Sequence, residues 1–379
     1  MRQTIKKRPM RKLLSFAILS LVAATLTAQT QTFDWQGSQR QYIVREPAGR
    51  DASQPIPVMF FLHGLGDNAA NCDDGFGFSS LANRYGWLIV TPQATTLSMM
   101  GYSMTMWNAG LGLNTTADDS GFLMALLDSL TVAYNIDRDS VFFTGFSMGG
   151  FMTHRMAIEH GDQINACAPV SGLITTSMAR QTPVAAVKLL HIHGDADQTV
   201  GYDGSSRDFG MNLGIAVDSS MRYWIKANQS NSEPIFDNFP DSRNDGLRFE
   251  RYSYHGGQRP LQHIKVIGGV HEWYSTPTND IDYFEVIHQF FVSDEMPTVG
   301  IEEVQAGDSR VRLYPNPTHG IVNIMLPEAS EVTVCDMQGH TAMRQALPAG
   351  ESVLNLAALP HGVYLLKFSD GATVKVVLF

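Results

Sequence analysis

The sequence predicts an α/β domain, a mostly parallel sheet with helices on both faces, followed by a small C-terminal all-β sandwich. Three observations lead there. Continuous apolar runs recur at Val58–Leu62, Trp87–Val90, Val141–Phe143 and Ala166–Val170, with a further buried run at Val187–Ile192 that includes Lys188 and His191, the pattern of strands buried on both faces. Between them lie segments such as 119–134 with apolar residues stepping by three and four, so strands alternate with helices. Beyond Val311 the helical period stops, and short β-rich runs recur between turn signals such as His361-Gly362 and Asp370-Gly371.

A chain of 379 residues has room for one large domain and a smaller one. Its 44% apolar and 17% charged residues describe an ordinary globular protein rather than a disordered one. The net charge of -10, with no basic stripe after the N-terminus, argues against nucleic acid as a partner. The N-terminus itself reads as a signal peptide over 1–28: basic residues to Lys12, an apolar stretch from Leu13 to Leu26, and Ala28 before the cut. The apolar stretch is short for a membrane span, so an exported protein is expected. Cys72, Cys167 and Cys335 are odd in number, which leaves at least one without an intramolecular partner. Cys167 lies in an apolar run and reads as a small core residue. None of the cysteine spacings suits a metal site, and the chemistry read below calls for no cofactor.

In order, Gln41–Val44 is an early strand, Val58–Gly64 and Trp87–Pro92 are buried ones, and a helix covers 119–134, N-capped by Asp118 or Asp119. A strand then ends in Gly145-Phe146-Ser147-Met148-Gly149, and a helix runs on to His160. Ala166–Val170 and Val187–Gly194 are further strands, and 217–228 is a helix with Trp224 on its apolar side. Leu247–Tyr254 and His263–Ile267 alternate like strands, and Tyr283, Phe284, Ile287, Phe290 and Phe291 mark a closing amphipathic helix. Thus 29–292 is the expected large domain, 293–310 a linker, and 311–379 the sandwich, with strands at 321–325, 331–335, 353–356, 363–368 and 373–379.

The Gly-x-Ser-x-Gly segment is a strand, a sharp turn and a helix, with Ser147 at the tip. Glycines flank it because such a turn leaves no room for Cβ atoms, and the helix N-terminus then faces any negative charge that develops there. A nucleophilic serine needs a base, a group to orient the base, and donors for the oxyanion. Asp197 and Asp195 both follow the buried strand ending at Gly194, on the face where ligands bind such sheets. Asp197 is preferred for the acid and Asp195 is its rival. His271, after Gly268-Gly269, is the preferred base over His255 and His263, which fall in or beside strands. Backbone N–H groups of Leu65 and Met148 are the oxyanion donors. His63 sits where the order of elements makes it structural. Trp107 and Trp273 are candidate substrate-binding residues, with a core role as the alternative for each.

These motifs carry a resemblance. Leu62-His63-Gly64, Trp107-Asn108-Ala109-Gly110, Asp118-Asp119-Ser120-Gly121-Phe122, Thr144 to Gly150, His193-Gly194-Asp195-Ala196-Asp197 and His271-Glu272-Trp273 occur in one order. Through them residues 40–292 resemble the secreted polyhydroxybutyrate depolymerase, feruloyl esterase and acetyl xylan esterase group of α/β-hydrolases. The resemblance implies Asp197, the second acid of its motif, as the triad member. Met148 stands where that group often carries Asn, Gln or Ala. Residues 311–379 resemble the C-terminal sorting domain of type IX secretion, through Leu313-Tyr314-Pro315-Asn316-Pro317, Gly320, Asp336-Met337-Gln338-Gly339, Leu359 to Tyr364, and Lys375. That resemblance implies the type IX secretion machinery as a partner, and a secreted or cell-surface location. The expected activity is that of an exported serine esterase on feruloyl or acetyl esters of plant polysaccharide or on polyhydroxyalkanoate. The alternatives are a serine peptidase on the same fold and a non-catalytic glycan-binding surface protein.

Overall fold

The computed structural model describes residues 30–99, 102–114, 116–293, 312–314, 318, 320–336, 340–369 and 373–378. The expected signal peptide and, apart from Ser293, the expected linker lie outside the described residues. The chain divides into two compact units, 1–296 and 297–379.

The first unit contains β1 (Gln31–Trp35), β2 (Ser38–Arg45), β3 (Ile56–Leu62), α1 (Ala69–Phe76), α2 (Phe78–Tyr85), β4 (Leu88–Pro92), β5 (Thr95–Met99) and β6 (Tyr102–Met106). It continues with α3 (Asp119–Tyr134), β7 (Ile136–Phe146), α4 (Met148–His160), β8 (Ala166–Val170), β9 (Lys188–Gly194), β10 (Ser205–Ser206) and β11 (Met211–Asn212). It ends with α5 (Val217–Asn228), β12 (Ile235–Asn238), β13 (Arg248–Tyr254), β14 (Leu261–Ile267) and α6 (Tyr283–Val292). One ten-stranded sheet has the order β1-β2-β4-β3-β7-β8-β9-β14-β13-β12. Its six middle strands are parallel and its edges antiparallel.

Successive side chains of a strand point to opposite faces, and both faces of this sheet are covered. Val58, Phe60 and Leu62 join one core with residues of α3, α4 and α5. Met59 and Phe61 join the other with residues of α1, α2 and α6. That two-sided burial is why β3 reads as an unbroken apolar run. Asp118, not Asp119, caps α3, its side chain accepting the Gly121 N–H at 3.0 Å. Asp119 instead forms a buried 2.7 Å ion pair with Arg40 of β2.

Sequence reading overlooked α1, α2, the β5–β6 hairpin, β1 and β12. The α1 sequence, AANCDDGF, offers no apolar stripe. Its helix is held instead by the Asn68 cap and by a salt bridge between Arg45 and Asp73, both outside the reach of periodicity.

The second unit is two antiparallel sheets. Its strands are β15 (Arg312–Tyr314), β16 (Ile321–Leu326), β17 (Ser330–Cys335), β18 (Thr341–Leu347), β19 (Gly350–Asn355), β20 (Gly362–Phe368) and β21 (Thr373–Leu378). The sheets are ordered β15-β16-β19 and β18-β17-β20-β21. Val322, Ile324 and Leu354 of the first share a core with Val332, Val334 and Leu366 of the second, the arrangement of a sandwich. β18 was not anticipated, because this edge strand buries little and its sequence, TAMRQAL, is mixed.

Candidate active site

β7 ends at Phe146 and α4 begins at Met148, so the backbone reverses within Ser147. Ser147 has φ 56° and ψ -120°, a region that costs a non-glycine residue about 1–3 kcal/mol and persists only where the surroundings enforce it. They do so sterically. A Cβ on Gly149 would lie 1.8 Å from the Leu62 carbonyl oxygen, and one on Gly145 would lie 2.7 Å from the Gly149 backbone. Only glycines let the end of β3 press against the start of α4. The Ser147 N–H donates to the Val170 carbonyl at 3.0 Å, which leaves the side chain half-buried at the carboxyl end of the sheet.

The loop after β3 runs over this turn, the Gly64 Cβ position being 3.6 Å from Ser147 Cβ. Among the described residues, neither the Leu65 N–H nor the Met148 N–H donates to a protein acceptor. Met148 is the first residue of its helix, where N–H groups have no intrahelical partner. His63, buried and 0% exposed, sets the loop's orientation. Its Nε2 accepts the Ala94 N–H at 3.0 Å, so its Nδ1 carries the proton and donates to the Gly64 carbonyl at 2.8 Å. The Gly64 carbonyl and the Leu65 N–H belong to one planar peptide, so holding the first orients the second. Burial lowers the His63 pKa, which keeps the ring neutral and this tautomer intact.

The expectation that Trp107 contacts substrate is corrected. Its ring is 1% exposed, and Nε1 donates to the His63 carbonyl at 2.9 Å. It follows the β5–β6 hairpin, which turns it inward under the loop at His63. Trp273 keeps a partly exposed ring, packed against Phe61 at 5.5 Å, Phe76 at 5.3 Å and Phe284 at 4.6 Å between centroids.

The two preferred acid–base residues are brought together. Asp197 is 6% exposed. Its Oδ1 accepts the Thr199 and Val200 N–H groups at 2.9 and 2.8 Å, and its Oδ2 accepts from His271 Nδ1 at 2.7 Å. Asp195 is engaged elsewhere. Its Oδ1 accepts the Gly268 N–H at 2.8 Å, and its Oδ2 lies 3.7 Å from Lys265. It ties the loop after β9 to the loop after β14, as does the 3.0 Å bond from the Ala196 N–H to the Gly269 carbonyl. His263 is buried in β14 and bonded to Tyr202, and no carboxylate is bonded to His255 among the described residues. The His271 ring lies 4.7 Å from that of Phe146, beside Ser147. No hydrogen bond joins Ser147 to His271 in this resting state, and such contacts commonly tighten when substrate binds.

The arrangement offers a hydroxyl on a strained turn, an imidazole oriented by a buried carboxylate, and two uncommitted N–H donors. Cys72, Cys167 and Cys335 are all free and buried, and burial raises the thiol pKa of Cys72 and Cys167, so both are inert. Sequence reading missed Phe146 and the His63 clamp. The clamp's partner, Ala94, is 31 positions away, and nothing local signals it.

Residues 49–208 match the family described as Phospholipase/Carboxylesterase, and residues 312–378 match the Secretion system C-terminal sorting domain. The chain is 31% identical over 166 residues to feruloyl esterase C of Emericella nidulans, covering 44% of this chain and 57% of that protein. It is 27% identical over 231 residues to probable feruloyl esterase C of Aspergillus niger, covering 61% of this chain and 76% of that protein. Among solved structures, an acetyl xylan esterase from Aspergillus awamori superposes with a TM-score of 0.50 at 17% identity, over 69% of this chain and 98% of that one, a likeness of fold. Residues 49–208 thus resemble the phospholipase/carboxylesterase family on an α/β-hydrolase fold, and residues 312–378 match a secretion sorting domain, which marks the chain for secretion or the cell surface.

Proposed function

We propose that this chain is an exported serine carboxylic-ester hydrolase working through an acyl-enzyme. Ser147 attacks the ester carbonyl while His271 Nε2 takes its proton. The Leu65 and Met148 N–H groups stabilise the oxyanion, and the Met148 end of α4 adds its positive dipole. His271 then protonates the leaving alcohol, and a water activated by the same ring releases the acid. Asp197 holds the imidazole with Nδ1 protonated and stabilises its charge. The observation that carries the reading is the 2.7 Å contact from His271 Nδ1 to a carboxylate whose other oxygen is filled by two backbone donors. It leaves Nε2 as the only ring nitrogen free to act.

We propose feruloyl or acetyl esters of plant polysaccharide, or polyhydroxyalkanoate esters, as substrates. The names of the two fungal relatives support an acyl group of the first kind, and the partly exposed Trp273 lines its site. The reading takes 29–292 as the catalytic domain and 311–379 as the sorting domain. The test is a fluorophosphonate probe together with methyl ferulate, acetylated xylan and hydroxybutyrate oligomers, each offered to the protein and to its Ser147→Ala variant. Labelling at Ser147 and Ser147-dependent hydrolysis of at least one ester are expected. Hydrolysis that survives the substitution would sink the proposal.

A further inference from the structure

β9 alternates in an unusual way. Leu190 and Ile192 pack into one core, while His191 and His193 point to the other face, toward α4 and α5, both 0% exposed. There they join a file of buried rings. Trp224 Nε1 donates to His154 Nδ1 at 3.2 Å. His154 Nε2 lies 3.2 Å from His191 Nδ1, and His191 Nε2 lies 3.3 Å from His193 Nδ1. His193 Nε2 lies 2.7 Å from the Val200 carbonyl and 3.7 Å from Asp197 Oδ2. His263 flanks the file, with Nδ1 3.1 Å from the His191 carbonyl.

The direction of every proton in this file is determined. An indole N–H only donates and a carbonyl only accepts, while a neutral imidazole does one at each nitrogen. The indole therefore makes His154 Nδ1 an acceptor and its Nε2 a donor. His191 follows in the same sense, then His193, whose Nε2–H ends on the Val200 carbonyl. Both ends demand the same direction. Burial lowers the pKa of His154 to about 3 and also lowers those of His191 and His193, so all three rings stay neutral. Hydrogen bonds aligned head to tail in a dry interior polarise and strengthen one another.

The last donor of the file acts on the acid of the site through Val200. The Val200 residue whose carbonyl it clamps also gives its N–H to Asp197 Oδ1. Facing the carboxylate are His193, His271 and the hydroxyls of Tyr274 and Tyr283. We infer that Trp224, His154, His191 and His193 form a positioning chain for Asp197: the chain locks His193 as an Nε2–H donor, which holds the 197–200 turn and keeps the carboxylate in line with His271 Nδ1. The inference rests on the proposed roles of Asp197 and His271. A histidine freed from the chain could turn its unprotonated nitrogen to the Val200 carbonyl, which would repel it and shift the turn.

The test combines kinetics with the ring tautomers of the full chain. His191→Phe keeps the ring shape and removes both nitrogens. Its kcat on an aryl acetate should fall roughly 10- to 100-fold, the usual loss when an orienting partner behind a functional group is removed, with KM little changed. His191→Gln, whose amide can accept from His154 and donate to His193, should recover most of that loss. Nitrogen NMR of histidine-labelled resting protein should find His154, His191 and His193 as Nε2–H tautomers that do not titrate where an exposed histidine does. Wild-type kcat in a folded His191→Phe, or an Nδ1–H or cationic His193 in the native protein, would overturn the inference. If His191→Phe does not fold, His191→Gln decides: full turnover with His193 in the Nδ1–H form overturns it as well. A wild-type chain that neither hydrolyses esters nor labels at Ser147 removes the functional reading, whereas the tautomers test the chain itself independently of activity.

Discussion

Ser147 and Asp197 stand at the carboxyl ends of two strands of one sheet, yet they are held by different forces. At Ser147 the backbone is confined by contact: the Leu62 carbonyl leaves no space for a Cβ at Gly149, and the serine takes a strained conformation with no side-chain partner. At Asp197 the backbone is also close, a Cβ on Gly194 lying 2.2 Å from the Gly269 carbonyl oxygen, but the side chain itself is fixed by hydrogen bonds. The carboxylate is held by two backbone donors and by His271, and His193 Nε2 lies 3.7 Å from it. Confinement by contact tolerates loss of the serine's own side chain but no added atom around it. Confinement by hydrogen bonds tolerates changes of volume but not the loss of a donor.

Substitutions at the two places should separate these modes. The largest effect is expected for Ser147→Ala, which should lower kcat on an aryl acetate roughly 10⁶-fold while thermal unfolding stays where it was. A large loss of stability would mean that the turn depends on the hydroxyl. Asp197→Asn comes next, at roughly 10⁴-fold in kcat, because an amide lets the imidazole adopt the wrong tautomer. A loss under tenfold would transfer the orienting role elsewhere, with Asp195 as the first candidate. Gly149→Ala should cost more than about 4 kcal/mol of folding stability or abolish the fold, as read by urea unfolding. A stable, active variant would show that the crowding at the turn is relieved by a cheap shift.

Acidification should act on the hydrogen-bonded side. Burial holds His154 and His263 at about 3, against an ordinary value of 6.5. Below that ordinary value the unfolded chain binds protons that the folded chain refuses. The stability these residues carry is therefore complete above the unfolded pKa and is lost as pH falls from about 6.5 toward 3. Each should contribute about 1.4 kcal/mol per pH unit inside that window. Urea unfolding at a series of pH values from neutral down to the carboxylate range would reveal it, and a flat profile would show that these rings bind protons in place. The smallest effect is expected for Trp107→Phe, about 1 kcal/mol of stability for the lost bond to the His63 carbonyl. Its KM should not change, and a raised KM would return Trp107 to the substrate site.

The serine side was the more legible of the two. Gly145, Ser147 and Gly149 are neighbours in the chain, and the reason for glycine is local. On the other side, the residue types of Asp197 and His271 were legible through their order after Ser147, but the choice between Asp195 and Asp197 turned on which carboxylate meets an imidazole 74 positions away. Trp107 was misjudged for the same reason: a tryptophan in a loop can face a pocket or a core, and only packing shows which. The α1 helix escaped notice because a cap and a salt bridge hold it with little contribution from pattern, whereas α2 does bury Phe78, Leu81 and Ala82 on one face but is only eight residues long.

By itself the sequence determined the two-part architecture, the parallel sheet, the turn at Ser147 and the sandwich that follows, since each is written in residues close along the chain through periodicity or backbone sterics. Only the tertiary structure decided which acid serves the histidine, that His63 and Trp107 brace the loop at Leu65, and that four buried rings line up behind Asp197. Apart from the local links His191–His193 and His193–Val200, those choices depend on hydrogen bonds between groups 30 to 80 positions apart, and a bond of that kind leaves no trace in the spacing of the residues that make it.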